Sequence, residues 1–184
     1  VNLAAVHYHL GSKQGLLAAV LAHHADPVNR ERLARLAALR ARGAAPGVEE
    51  ILRAFLAPAF DRGRRDSELR DVIALVEGEP LERAGPLLRA QFGEVIERFG
   101  DALCAALPEI PPAAVRERLH FAVGAMLHVL SGRPRAAFGA KLGLRDDDAL
   151  PERLVAFLAA GFRASAARAR RGRASRPRRR RTAP

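Results

Sequence analysis

The sequence predicts an all-α protein, and three observations carry that expectation. Ala, Leu, Arg and Glu dominate it, its aromatic residues are limited to eight Phe and one Tyr, and no stretch rich in Val, Ile and Thr alternates with period two. At 184 residues with 49% hydrophobic side chains, the chain can bury a core rather than stay unfolded.

The elements follow in order. Residues 2–10 read as a short helix, with Asn2 as a cap, Val6 and Leu10 as an apolar i,i+4 pair and Gly11 as the stop. Ser12 caps the next helix, whose apolar positions Leu16, Leu17, Val20 and Leu21 recur at helical spacing. Asp26-Pro27 is expected to kink or briefly break the continuation through Leu33, Leu36 and Leu39. After a Gly/Pro turn at 43–47, a helix from Val48 to about Phe60 aligns Ile51, Leu52, Phe55, Leu56 and Phe60 on one core face.

A helix over about 66–78 presents Leu69, Val72, Ile73 and Val76, and Gly78-Glu79-Pro80 ends it. A long helix is expected over 81–106, with Pro86 absorbed near its start and Leu88, Phe92, Val95, Ile96, Phe99 and Leu103 along its length. Pro108–Pro112 breaks the chain before a strongly apolar helix at 113–131, expected to be buried on more than one face. A punctuated connection then leads to Asp146-Asp147-Asp148, which favours a helix start, and to a last helix at about 148–168.

The formal charge of +11 is concentrated at one end. Residues 163–184 hold ten arginines and no acid, so removing them leaves +1 on residues 1–162. The segment 169–184 is expected to be a disordered Arg-rich tail: either a solvated appendage or a non-specific nucleic-acid contact. Cys104 is the only cysteine, which excludes an internal disulfide and suits a reducing compartment, with the thiol as a small core residue. No apolar run approaches the roughly 18 residues of a membrane span and no segment reads as a secretory leader, so the expectation is a cytoplasmic protein without membrane contact.

Catalysis has no visible apparatus: no paired carboxylates, no nucleophile with a base at fixed spacing, no phosphate-cradling loop and no metal cluster. Catalytic residues, metal ligands and cofactors are therefore expected to be none, and the protein not an enzyme. His23 and His24 are adjacent, point to different faces of a helix, and are expected to be surface residues rather than metal ligands.

The stretch Val1-Asn2-Leu3-Ala4-Ala5-Val6-His7-Tyr8-His9-Leu10-Gly11-Ser12-Lys13-Gln14-Gly15-Leu16-Leu17 resembles the recognition-helix signature of TetR-family repressors. It shares the aromatic-rich close of that helix, the Gly-Ser-Lys corner and the Leu-Leu pair opening the next helix, and differs at Leu10 and His7, where the family usually has Phe and Tyr. The resemblance implies a remnant of a helix-turn-helix DNA-binding module at 1–25, a helical-bundle ligand-binding and dimerisation domain at 26–168, and about 40 further residues upstream of Val1. It implies that Leu3 and Ala4 face base edges and that Asn2, His7, Tyr8, His9 and Lys13 contact phosphates of double-stranded operator DNA.

The same resemblance implies a small-molecule effector, expected to be apolar, within the regulatory domain. Phe92, Phe99, Phe121 and Met126 are candidates for its pocket, and His120 and His128 either line it or are satisfied core histidines. The apolar segments 113–131 and 148–168, with Gly124, Ala125, Ala160 and Gly161 allowing close approach, predict a homodimer through a four-helix bundle. The function expected is a ligand-responsive transcriptional regulator, a repressor; the alternative is a helical dimerisation or ligand-binding module without specific DNA binding.

Overall fold

The computed structural model describes residues 13–66, 68–132, 141, 143 and 148–164. Among them six long helices form the fold: α1 Lys13–Arg40, α2 Val48–Arg65, α3 Glu68–Glu77, α4 Leu81–Ala106, α5 Pro112–Ser131 and α6 Leu150–Arg163. The described residues contain no strand, as the composition predicts. The segments 2–10 and 169–184 lie outside the described residues.

α2 is the central element and touches every other described helix. Its sequence explains why: Ile51, Leu52, Phe55 and Leu56 recur at helical spacing, and all are buried. Gly47 precedes it with extended backbone, and the Glu50 carboxylate accepts the Gly47 N–H at 2.9 Å, while Glu49 and Glu50 place negative charge at the positive end of the helix. Phe55 meets Phe99 of α4 edge-on with centroids 5.1 Å apart, which ties α2 to α4 at the middle of the core.

Three prolines are carried inside helices, one of them Pro86 near the start of α4, as expected. α1 runs unbroken through Pro27, where a kink or break was expected, and α2 continues through the buried Pro58 to Arg65, five residues past the expected stop at Phe60. A proline removes one backbone donor from a helix. The flanking turns are held by packing: Leu21 and Ala25 against Val72 before Pro27, and Val28 and Leu36 in the main core after it. α1 consequently crosses the 25/26 division between the expected DNA-binding remnant and regulatory domain, and the two segments share one helix.

The remaining boundaries fall within two residues of expectation at most starts. α4 spans 81–106 as read, α5 starts one residue early at Pro112, and α3 is trimmed to 68–77. α6 begins at Leu150, and Ala149 rather than Asp148 stands at the cap position, with no side-chain cap. Gly132 ends α5 in the left-handed conformation with φ of 66°, which a glycine adopts without a Cβ clash. Gly63 on α2 sits where an added Cβ would lie 3.2 Å from Leu130 Cδ2, so its missing side chain is what lets α5 approach.

α5 departs from expectation in its burial. Val115, Leu119, Ala122, Met126 and Leu130 are buried, but His120, Phe121, Gly124 and His128 on the other side are exposed in the single chain. The faces of α6 differ likewise: Leu154, Leu158 and Phe162 enter the core, while Phe157 and Gly161 face outward.

Candidate functional site, a buried guanidinium among four helices

The inner face of α1 is a helical stripe of Leu17, Leu21, His24, Val28, Arg32, Leu36 and Leu39, and every member is buried. Two of the seven, His24 and Arg32, are polar or charged, and each has a distinct solution to burial.

His24 Nδ1 donates to Asp66 Oδ2 at 3.0 Å, and Arg62 Nε donates to the same oxygen at 3.0 Å. The other Asp66 oxygen accepts the Glu68 N–H at 3.0 Å, so this one carboxylate sits at the end of α2, starts α3 and holds α1. Burial alone would raise the Asp66 pKa, but the His24 hydrogen bond and charge, the Glu68 N–H and Arg62 together hold it below the ordinary carboxylate value. His24 is thus a core anchor, not the surface residue expected from the sequence; His23 beside it is exposed. Among the described residues no group of His, Cys, Asp and Glu could hold a metal ion.

Arg32 of α1 lies 3% exposed against Phe55 of α2 and Met126 of α5, beside Asn29, which binds Gln91 of α4. Its Nε donates to the Phe55 carbonyl at 2.8 Å, one terminal nitrogen to Asn29 Oδ1 at 3.2 Å and the other to Met126 Sδ at 3.3 Å. Its Cζ lies 4.4 Å from the centroid of the Phe55 ring, a cation-π contact. All four partners are neutral. Burial pushes the guanidinium down to about 10, with no carboxylate among the described residues offsetting the shift, and it stays protonated at neutral pH.

A polar chain connects this charge to the surface. Asn29 Nδ2 donates to the Gln91 carbonyl at 2.8 Å, and Gln91 Nε2 donates to Asp26 Oδ1 at 2.5 Å, with Asp26 exposed. Sequence reading missed Asn29, Arg32 and Gln91. The available signal was an arginine four residues after Val28 and four before Leu36, on the apolar stripe itself.

The residues expected to line one pocket do not converge within the chain. Phe99 is fully buried in the main core and Met126 is buried against Arg32, whereas Phe92 packs half-buried against the smaller Leu21, Ala25 and Val72 cluster. His120, Phe121 and His128 lie on the exposed side of α5. Asn2, Leu3, Ala4, His7, Tyr8 and His9 lie outside the described residues, as does the side chain of Lys13, the first residue of α1. A groove of about 260 Å³ between α1 and α2 contains none of these residues, and its Arg42 and Arg53 are paired with Glu50 and Glu152.

The outer side of α5 and α6 is the other notable surface. Phe121 is 59% and Phe157 71% exposed, and a Cβ added at Gly124 or Gly161 would meet nothing within 4 Å. α6 is held in place from behind. Arg53 makes a two-pronged bond to Glu152 at 2.8 and 2.9 Å, Arg163 pairs with Glu49, and Arg118 of α5 donates to the Phe162 and Ala164 carbonyls at 2.6 and 2.8 Å. The Arg163 hydrogen bond draws the Glu49 pKa down to about 2.

The sequence profile of the tetracyclin repressor-like C-terminal domain matches residues 53–161, which run from the second turn of α2 to near the end of α6. The chain belongs to the tetracyclin repressor-like family. The match spans more than half of the sequence and joins the C-terminal helices to the recognition-helix resemblance at the other end. A search of curated proteins returns no match. In this family member, no helix among the described residues is long and apolar enough to cross a membrane.

Proposed function

We infer that this chain is a ligand-responsive transcriptional regulator, a repressor, that binds operator DNA as a homodimer in the cytoplasm. The observation that carries the reading is continuity: α1 runs without interruption from Lys13, at the end of the recognition-helix resemblance, into the core of the domain matched to the family. A rigid helix of this kind passes a displacement in the core to its far end, because packed elements move as units rather than deforming locally.

In this reading Leu3 and Ala4 meet base edges, and Asn2, His7, Tyr8, His9 and Lys13 grip phosphates. The outward face of α5 and α6, with Phe121, Gly124, Phe157 and Gly161, pairs with its copy about a two-fold axis as a four-helix bundle. An apolar patch rimmed by polar residues favours such an interface. The role requires binding and a population shift, and no covalent chemistry.

The test is fluorescence anisotropy of the full gene product against a randomised duplex pool, at low and at physiological salt, followed by sequencing of the bound fraction. Sequence-selective binding that resists salt supports the regulator. Weak binding that vanishes with salt and with deletion of residues 166–184 refutes it, and favours a dimerisation module whose basic tail alone touches nucleic acid.

A further inference from the structure

We propose that Arg32 is the anchor of an anion-binding effector site, and that the ligand is a small organic acid whose carboxylate takes the place of the Met126 thioether at the guanidinium. The inference rests on the regulator reading and specifies its effector: an acid with an apolar body, where sequence alone suggested only an apolar compound.

Donor supply is the first argument. A guanidinium carries five N–H donors in a planar fork, and the described partners of Arg32 accept three: one carbonyl, one amide oxygen and one sulfur. The sulfur is a weak acceptor for a charged donor, whereas a carboxylate would take two N–H bonds in the parallel geometry the fork presents.

Charge is the second. Burying an ion without a counter-ion is costly, and folded chains pair such groups or keep them in water. Here the guanidinium is 3% exposed among neutral partners. An arriving anion supplies the missing charge in surroundings where it is worth most.

Construction of the site is the third. Met126 is a flexible, unbranched side chain that can vacate its position by rotamer change, and the phenyl face of Phe55 and the neighbouring apolar side chains of α2, α4 and α5 would receive the body of the acid. The chain Asp26, Gln91, Asn29 and Arg32 marks the polar path from the surface to the charge. Because Arg32 belongs to α1, the anion would act directly on the helix that continues toward the recognition segment.

The experiment is a thermal-shift and calorimetric titration of the 184-residue chain with octanoate, phenylacetate and benzoate, each beside its primary amide. The expected result is that one or more acids raise Tm and bind on the order of tenfold or more tighter than the matched amide, as loss of a charge-assisted pair at a buried site implies. R32M, which replaces the charge with an apolar side chain of similar length, should fold with equal or higher Tm and lose the acid response. R32K keeps charge without the fork and should weaken the response, and M126L, which removes the competing sulfur while keeping volume, should retain or strengthen it.

Equal shifts from acids and amides, an acid response that survives R32M, or a response to neutral apolar compounds with none to the acids would each overturn the proposal. The last result would leave the regulator reading standing with a neutral effector. Loss of operator selectivity in the full gene product, with acid binding intact, would overturn that reading and leave the anion site in place.

Discussion

His24 Nδ1 on α1 lies 3.0 Å from Asp66 Oδ2 at the junction of α2 and α3, joining residues 42 positions apart through a carboxylate that also holds Arg62 and the Glu68 N–H. One side chain thereby fixes three helices. Asp66→Ala should lower unfolding free energy by about 2 kcal/mol or more, the sum of a lost cap and a stranded buried imidazole. Asp66→Asn, which keeps an acceptor for the Glu68 N–H, should cost less. Urea unfolding of both variants checks the order, and equal costs would show that the cap contributes nothing.

The outward aromatic rings give a second prediction. Phe121→Arg with Phe157→Glu should disrupt the proposed dimer and give a monomer mass in sedimentation, while leaving the far-ultraviolet circular dichroism unchanged. Both rings are more than half exposed in the single chain, so their replacement removes no intrachain core contact of consequence. A dimer mass in the double variant would place the interface elsewhere.

Arg118 caps a neighbouring helix rather than its own. Its guanidinium occupies the Phe162 and Ala164 carbonyls at the C-terminus of α6, where positive charge also suits the helix dipole. Arg118→Ala should cost roughly 1 to 2 kcal/mol and speed hydrogen exchange in the last turn of α6, with α2 unaffected. Uniform acceleration across the chain would assign Arg118 a global role.

Acid should weaken the fold through two carboxylates. Glu49, drawn down by its Arg163 hydrogen bond, and Asp66, held low by His24, Glu68 and Arg62 against its own burial, both have depressed folded pKa values. Each therefore contributes stability that is present above its unfolded value, about 4 for such groups, and is lost as pH falls through the folded value. For Glu49 that window runs from 4.5 down to about 2. Stability followed by chemical denaturation should fall across this range, and Glu49→Gln should flatten part of the slope. The Glu49 share is small because the pair is solvent-screened; an unchanged slope in Glu49→Gln would show that it is nil.

Local pattern made most of the helices legible. α4 begins at Leu81 and ends at Ala106 as read, because Gly78-Glu79-Pro80 and Pro108 punctuate it at both ends. The proline at 27 misled, since the expectation weighed a lost hydrogen bond without the packing on either side that compensates for it. The surface of α5 misled in the opposite way: its all-round apolar character suggested burial on more than one face, but one chain supplies neighbours for only one.

By itself, the sequence determined an all-helical chain, the order of its elements, the core face of α2, the arginine-rich end and a recognition-helix resemblance, because these depend on periodicity, punctuation and composition within short windows. Only tertiary structure decided that His24 is an anchor, that Arg32 is a buried charge among neutral partners, and that Phe121 and Phe157 face outward. Those facts depend on which helix lies across from each residue. Asp66 lies 42 positions from His24 and Met126 94 from Arg32, distances along the chain over which no local pattern carries information about what a side chain will meet.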